Sequence, residues 1–196
     1  MKKDEKLIFL KKIAEETSIL RKSMVEELGP QILELAAVIS GVIGTGGKLL
    51  LAGNGGSAAD SSHFAGEMIV RLSAERNRQS LPAIALSADT AVLTAAANDF
   101  GFENVFARQL EGIGQKGDML FVLSTSGNSP NLIKAVDTAK RMGIITVGLL
   151  GNSGGKLANA VDRALVIPHP STQRVQEEHI FIIHILVELV EGDLIK

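Results

Sequence analysis

Apolar positions recur every three or four residues through the first part of the chain, and short continuous apolar runs replace them later. Leu7, Leu10, Ala14, Thr17, Leu20, Met24 and Leu28 fall on one face of an amphipathic helix. Gly29-Pro30 predicts a break, because proline lacks an amide donor and crowds the preceding turn. Pro30 then opens a second helix, Gln31 to about Ile43. Gly44–Gly47 reads as a turn, so residues 1–45 are expected to form a helical hairpin.

From Lys48 the period changes. Lys48–Ala52, Ala83–Leu86, Met119–Leu123, Ile144–Leu149 and Ala164–Ile167 are apolar runs bounded by Gly, Ser, Asp or Pro, with helical patterns between them. Runs of this kind suit strands buried on both faces. The alternation predicts an α/β fold: a doubly wound, five-stranded parallel sheet of flavodoxin-like order. No linker divides the chain, which reads as a single domain over 1–196, with 46–196 as the α/β core. The last helix, about Thr172 to Leu194, is apolar on several faces. A helix of that kind is buried all round, and a chain this small cannot cover every face. Association with further copies is therefore expected.

Composition narrows the chemistry. Hydrophobic residues make up 45% and charged residues 21%, an ordinary globular balance. The formal net charge is −2 and no long basic stripe occurs, which argues against nucleic acid as a partner. Arg71, Arg76 and Arg78 read as a solvated loop. With no cysteine, disulfides, thiolate metal sites and a Cys nucleophile are excluded. The charged start, Met1–Lys6, does not read as a secretory signal, and Ile180–Val190 is too short to span a bilayer. No membrane partner is expected, and the cytoplasm is the simplest location.

Two loops each follow a predicted strand and open a helix. In Gly53-Asn54-Gly55-Gly56-Ser57-Ala58 the glycines let backbone approach a ligand, and Ser57 can cap the following helix. In Ser124-Thr125-Ser126-Gly127-Asn128-Ser129-Pro130, Ser129 is a natural N-cap with Pro130 at the first helical position. Four hydroxyls and the free amides of a helix start make a phosphate cradle without any lysine. Either loop alone is as well explained by capping. Together they follow the first and third runs, which are neighbours at the switch point of a flavodoxin-like sheet. A third loop, Gly151–Gly155, reads mainly as a turn.

The stretches GNGGSAADSSHFAGE, PAIALSADTAVLTAAANDFG, STSGNSPN and RVQEEHIFIIHILVELVE resemble the signatures of the phosphoheptose isomerase family of sugar isomerase (SIS) domains. The likeness runs from about Lys48 to the C-terminus. It implies a homotetrameric cytoplasmic enzyme that converts sedoheptulose 7-phosphate to D-glycero-D-manno-heptose 7-phosphate, the first step toward nucleotide-activated heptose. It departs from the family in Ser73–Ser80 and Pro170–Thr172.

Such a reaction moves a carbonyl between C1 and C2 through an enediol, and needs a base, an acid and something to stabilise the enediolate. His63 and Glu67 lie four apart on the helix after the first loop and share a face. Glu67 sits among Phe64, Ala65, Met68, Ile69 and Val70, where desolvation would raise its basicity. An isolated Glu of this kind also reads as a surface residue, and Asp60 reads as support for the helix start. Gln176 and His184 lie eight apart on the last helix, roughly 12 Å along its axis. By its apolar neighbours His184 alone reads as a core histidine. His179, beside Glu177 and Glu178, belongs to a more exposed face, and His169 has no obvious partner. The resemblance chooses among them. It implies zinc on His63, Glu67, Gln176 and His184, with Glu67 as general base and His184 as general acid. It also implies sugar contacts from Asn54, Gly55, Gly56, Ser57, Glu67, Asn98, Asp99, Ser124, Thr125, Ser126, Ser129 and Gln176. The alternative is a non-enzymatic SIS protein of the replication initiator-associating type. That branch keeps the loops but lacks the catalytic Glu and the final His, both present here as Glu67 and His184.

Overall fold

The computed structural model describes residues 2–194. Its elements are α1 (Lys3–Gly44), β1 (Leu49–Gly53), α2 (Gly56–Ile69), β2 (Ala83–Ala85), α3 (Thr90–Phe100), a 3-10 turn (Phe102–Asn104), α4 (Val105–Ile113), β3 (Met119–Ser124), α5 (Pro130–Arg141), β4 (Ile145–Gly151), α6 (Leu157–Ala160), β5 (Arg163–Ile167) and α7 (Thr172–Leu194). All five apolar runs are strands. They pair in parallel in the order β2-β1-β3-β4-β5, so β1 and β3 are neighbours. Successive residues of a strand feed opposite cores, as the two-residue period of a strand requires. Leu49 and Leu51 pack with α1, α2 and α7, while Leu50 and Ala52 pack with α3, α4, α5 and α6. Burial on both faces explains why these strands are continuously apolar rather than alternating.

The N-terminal helices differ from the sequence reading. No hairpin forms: α1 runs unbroken through Gly29-Pro30. Met24 before the proline and Ile32, Leu35, Ala36 and Ile39 after it are all buried, so one apolar stripe continues across the expected break. Pro30 itself is exposed. Packing of the stripe on α7 offsets the single backbone bond the proline removes. Length and a mean hydropathy of 1.3 over one window would let α1 cross a bilayer. The buried side of that window rests instead on α7 and β5.

Helix α7 also departs from expectation at Glu178 and His179, which are buried rather than exposed. Arg21 of α1 donates to both Glu178 oxygens, at 3.0 and 2.9 Å, and lies 4.5 Å over the Phe181 ring. That pairing lets a carboxylate enter the core. Burial pushes His179 down to about 4, against a weaker opposing pull from the Leu150 carbonyl. The carbonyl does not meet hydrogen-bond geometry, and both ring nitrogens lack partners. His169, which had no obvious partner, meets Glu16 of α1 at 3.0 Å.

Candidate active site

The first two loops lie side by side at the carboxyl edge of the sheet, after β1 and β3. They are joined by a reciprocal amide pair. Asn54 Nδ2 donates to Asn131 Oδ1 at 3.0 Å, and Asn131 Nδ2 donates to Asn54 Oδ1 at 2.8 Å. Asn131 was missed from the sequence. Its signal is an amide on the buried side of α5, one residue past the Ser-Pro start. In the first loop Gly55, at φ 56°, is the N-cap of α2. Ser57 is therefore not the cap expected from sequence but a buried residue of the first turn.

The second loop is held from within. Ser124 Oγ accepts the Gly127 amide at 3.0 Å, and Ser126 Oγ accepts the Asn128 amide at 3.3 Å. Gly127 adopts φ 65°, and a side chain there would strike the Gly154 carbonyl. The third loop therefore props the second. Leu157 N donates to the Gly127 carbonyl at 3.0 Å, and Lys156 N to Asn128 Oδ1 at 3.1 Å. Ser129 is the N-cap of α5 but makes no side-chain capping bond, and Pro130 opens the helix as expected. Pro130 has no amide hydrogen and the Leu132 and Ile133 amides donate to the Ser129 carbonyl, so the Ser129 hydroxyl and the Asn131 amide are the donors that can receive an anion. Thr125 is half-buried and Ser126 exposed beside them.

Helices α2 and α7 bring a second group together. His63 Nε2 and His184 Nε2 approach to 2.8 Å, and Glu67 Oε1 lies 3.7 Å from His63 Nε2. In this contact one Nε2 must donate and the other accept, so the two rings take opposite tautomers. Glu67 is 20% exposed and His63 40%. Gln176 is placed elsewhere: its amide rests on Gly56, at the start of α2. His63 is seven residues down α2 from Gly56, about 10 Å. Beside Gly56 and Gln176 opens a groove of about 570 Å³, lined also by Arg21, Ala59 and Asp60.

Asp60 was given no role in the chemistry from sequence. Its Oδ2 is buried without a partner, and desolvation pushes the carboxyl up to about 6 while nearby His63 pulls it back. The signal was the spacing of Asp60, His63 and Glu67 along one helical face. Asn98 and Asp99 are exposed at the end of α3, where Asn98 Nδ2 donates to Asp99 Oδ1 at 2.8 Å. Among the described residues neither bonds to the two loops or to the histidine pair.

The parallel β2-β1-β3-β4-β5 sheet, the paired loops at its switch point and the groove beside them define a SIS domain, and the SIS domain family model matches residues 13–151. The chain is 50% identical over 174 residues to the phosphoheptose isomerase of Chlorobaculum parvum, covering 88% of this chain and 83% of that one. It is 47% identical to that of Trichlorobacter lovleyi, covering 95% and 94%. The structure of phosphoheptose isomerase GmhA from Neisseria gonorrhoeae superposes with a TM-score of 0.88 at 36% identity, over 95% of this chain and 98% of that one. The chain belongs to the phosphoheptose isomerase family of SIS domains, and it is an aldose–ketose isomerase.

Proposed function

We propose that the chain interconverts sedoheptulose 7-phosphate and D-glycero-D-manno-heptose 7-phosphate, with Glu67 as general base and His184 as general acid. The observation that carries this reading is the meeting of His63, Glu67 and His184 along α2, about 10 Å from the loop that opens that helix. The substrate carries its phosphate on C7 and reacts at C1 and C2, so it too has its anion and its chemistry at opposite ends. Phosphate binds the hydroxyls of Ser124, Thr125, Ser126 and Ser129 and the Asn131 amide at the start of α5. Asn54, Gly55, Gly56, Ser57 and Gln176 border the sugar chain, and Asn98 and Asp99 reach it from α3. Glu67 takes the C1 proton while His184 gives a proton to the C2 oxygen, which yields the enediol. The O1 proton then passes to His184, and Glu67 returns its proton to C2. Every proton is returned, and no co-reactant is consumed.

Zinc belongs to the same reading. Two imidazoles and a carboxylate are a known catalytic zinc set, and Gln176 would be the fourth ligand. Among the described residues no three His, Asp or Glu side chains form a closed metal group. A tetrahedral zinc holds two nitrogen ligands roughly 3.3 Å apart. The His63–His184 spacing of 2.8 Å and the His63–Glu67 spacing of 3.7 Å bracket that value, whereas Gln176, resting on Gly56, would have to swing toward them to join the set. When bound, the ion would polarise the substrate oxygens and stabilise the enediolate.

The working form in this reading is a cytoplasmic homotetramer with sites at subunit boundaries. Leu7, Ile8, Phe9 and Leu10 of α1 are 53%, 67%, 52% and 61% exposed, an apolar surface that another copy would cover.

Glu67→Gln keeps the shape of the side chain and removes the base. Turnover of sedoheptulose 7-phosphate should fall by about 10²–10⁴ with the fold intact by circular dichroism. Chelation should lower both activity and the melting temperature, and added zinc should restore both. A folded Glu67→Gln protein with near-normal turnover would remove Glu67 from the mechanism.

A further inference from the structure

Arg78 lies between α2 and β2, in a segment that reads from sequence as a solvated loop. Its side chain is instead 3% exposed, and the reaction scheme above gives it no part. Four of the five guanidinium N–H donors are engaged. Nη2 donates to the Glu67 carbonyl at 2.7 Å, and Nη1 donates to the Met68 carbonyl at 2.8 Å and the Gln79 carbonyl at 3.0 Å. Nε donates to Glu191 Oε1 at 2.6 Å. Glu67 and Met68 belong to the last turn of α2, where carbonyls have no partner within the helix and a cation is favoured. Glu191 belongs to α7 and is fully buried. It also accepts the Leu72 amide at 3.4 Å, with Arg76 at 3.7 Å.

One planar fork therefore joins the backbone of the helix that carries Glu67 to the helix that carries His184. Apolar contacts alone set the spacing of two helices loosely, because they are non-directional. Two directed bonds to α2, one to the Gln79 carbonyl beside Arg78 itself and one to α7 fix where the α2 terminus sits. We propose that Arg78, anchored by Glu191, is a positioning residue for the isomerase reaction: it holds Glu67 against the α7 histidine. The proposal rests on Glu67 being the base. A misplacement of about 1 Å at a reacting group costs on the order of 10² in rate, so a clamp at the residue's own carbonyl acts where it matters most. Lysine cannot replace it, since a single ammonium cannot span three carbonyls and a carboxylate in the plane of the fork.

The test uses Arg78→Lys and Glu191→Gln in the full-length protein, with Glu67→Gln in parallel. Folding is checked by urea denaturation and oligomer size by sedimentation. In each positioning variant kcat for sedoheptulose 7-phosphate should fall about tenfold or more, while KM stays within about twofold, because the phosphate loops are untouched. The isotope effect with substrate deuterated at C1 should rise, because proton abstraction is the step made slow. A purely structural tie would change stability and leave the isotope effect alone. If Glu67→Gln is inactive while Arg78→Lys and Glu191→Gln fold and turn over as wild type with an unchanged isotope effect, the clamp falls and the base assignment stands. If Glu67→Gln turns over normally, the base assignment falls, and the clamp falls with it. Two variants on different helices keep the test open should one of them fail to fold.

Discussion

At the scale of single residues, His179 and the loop serines make opposite demands. His179 is buried, neutral and without hydrogen-bond partners, and its folded value of about 4 lies below the ordinary 6.5. Between those values the unfolded chain binds more protons than the folded one, so stability rises with pH. The contribution is complete above about 6.5 and is lost as pH falls through 4; its ceiling is about 3 kcal/mol. Urea midpoints at pH 5 and 7.5 should therefore differ more for wild type than for His179→Leu, which has no proton to bind. Equal pH dependence in the two proteins would mean that the acid sensitivity originates elsewhere. The serines matter for ligand rather than fold. Ser124→Ala with Ser126→Ala removes two loop hydrogen bonds, at a stability cost of about 1 kcal/mol each. Affinity for sugar phosphate, measured by calorimetry, should drop far more than the urea midpoint does. Unchanged affinity would count against the cradle.

Between elements, two glycines separate a cheap substitution from a costly one. Gly56 opens α2, and a methyl group there meets the amide of Gln176, the mobile end of a side chain on α7. Gly56→Ala should leave the melting temperature nearly unchanged while it displaces Gln176 and weakens substrate binding. Gly127 holds φ 65°, and a methyl group there meets the Gly154 carbonyl, which cannot swing away. Gly127→Ala should cost on the order of 3 kcal/mol and separate the second loop from the third. Thermal melts of both variants beside binding isotherms test the contrast. A Gly56→Ala protein that loses stability but not affinity would show that Gln176 packs without contacting ligand. Helix α1 shows the same balance in native form, since a buried stripe carries it through a proline that local propensity would make a break.

For the whole molecule, the exposed apolar start of α1 is the feature a lone copy leaves unexplained. Arg21–Glu178, Arg174–Thr17 and His169–Glu16 fix α1 to α7 and to the loop before it, so the helix is held even where its apolar side faces outward. Ile8→Glu combined with Leu10→Glu places charge on that surface without touching the loops or the histidine pair. Sedimentation should show a smaller species than wild type, and specific activity should fall with it if sites are completed at subunit boundaries. A fully active monomer would sink the shared-site picture.

Much of this was legible in the sequence because it depends on local pattern. Five short apolar runs separated by helical periods define a parallel sheet covered on both faces, and the observed strands fall within a residue or two of those runs. Gly-Asn-Gly-Gly and Ser-Thr-Ser-Gly mark loops because few other residues allow those turns, and the four-residue spacing of His63 and Glu67 already put them on one face. What the sequence could not decide depends on partners distant along the chain. Glu178 reads as exposed until Arg21, 157 residues away, is placed against it. Arg78 reads as a loop cation until the carbonyls of α2 and the Glu191 carboxylate close around it. Pro30 reads as a break until α7 supplies the surface that keeps α1 continuous. Asp60 acquires a shifted carboxyl only once the groove desolvates it. Burial of a charge or a break is decided by the free energy of the assembled neighbourhood, and that neighbourhood exists only in the tertiary structure.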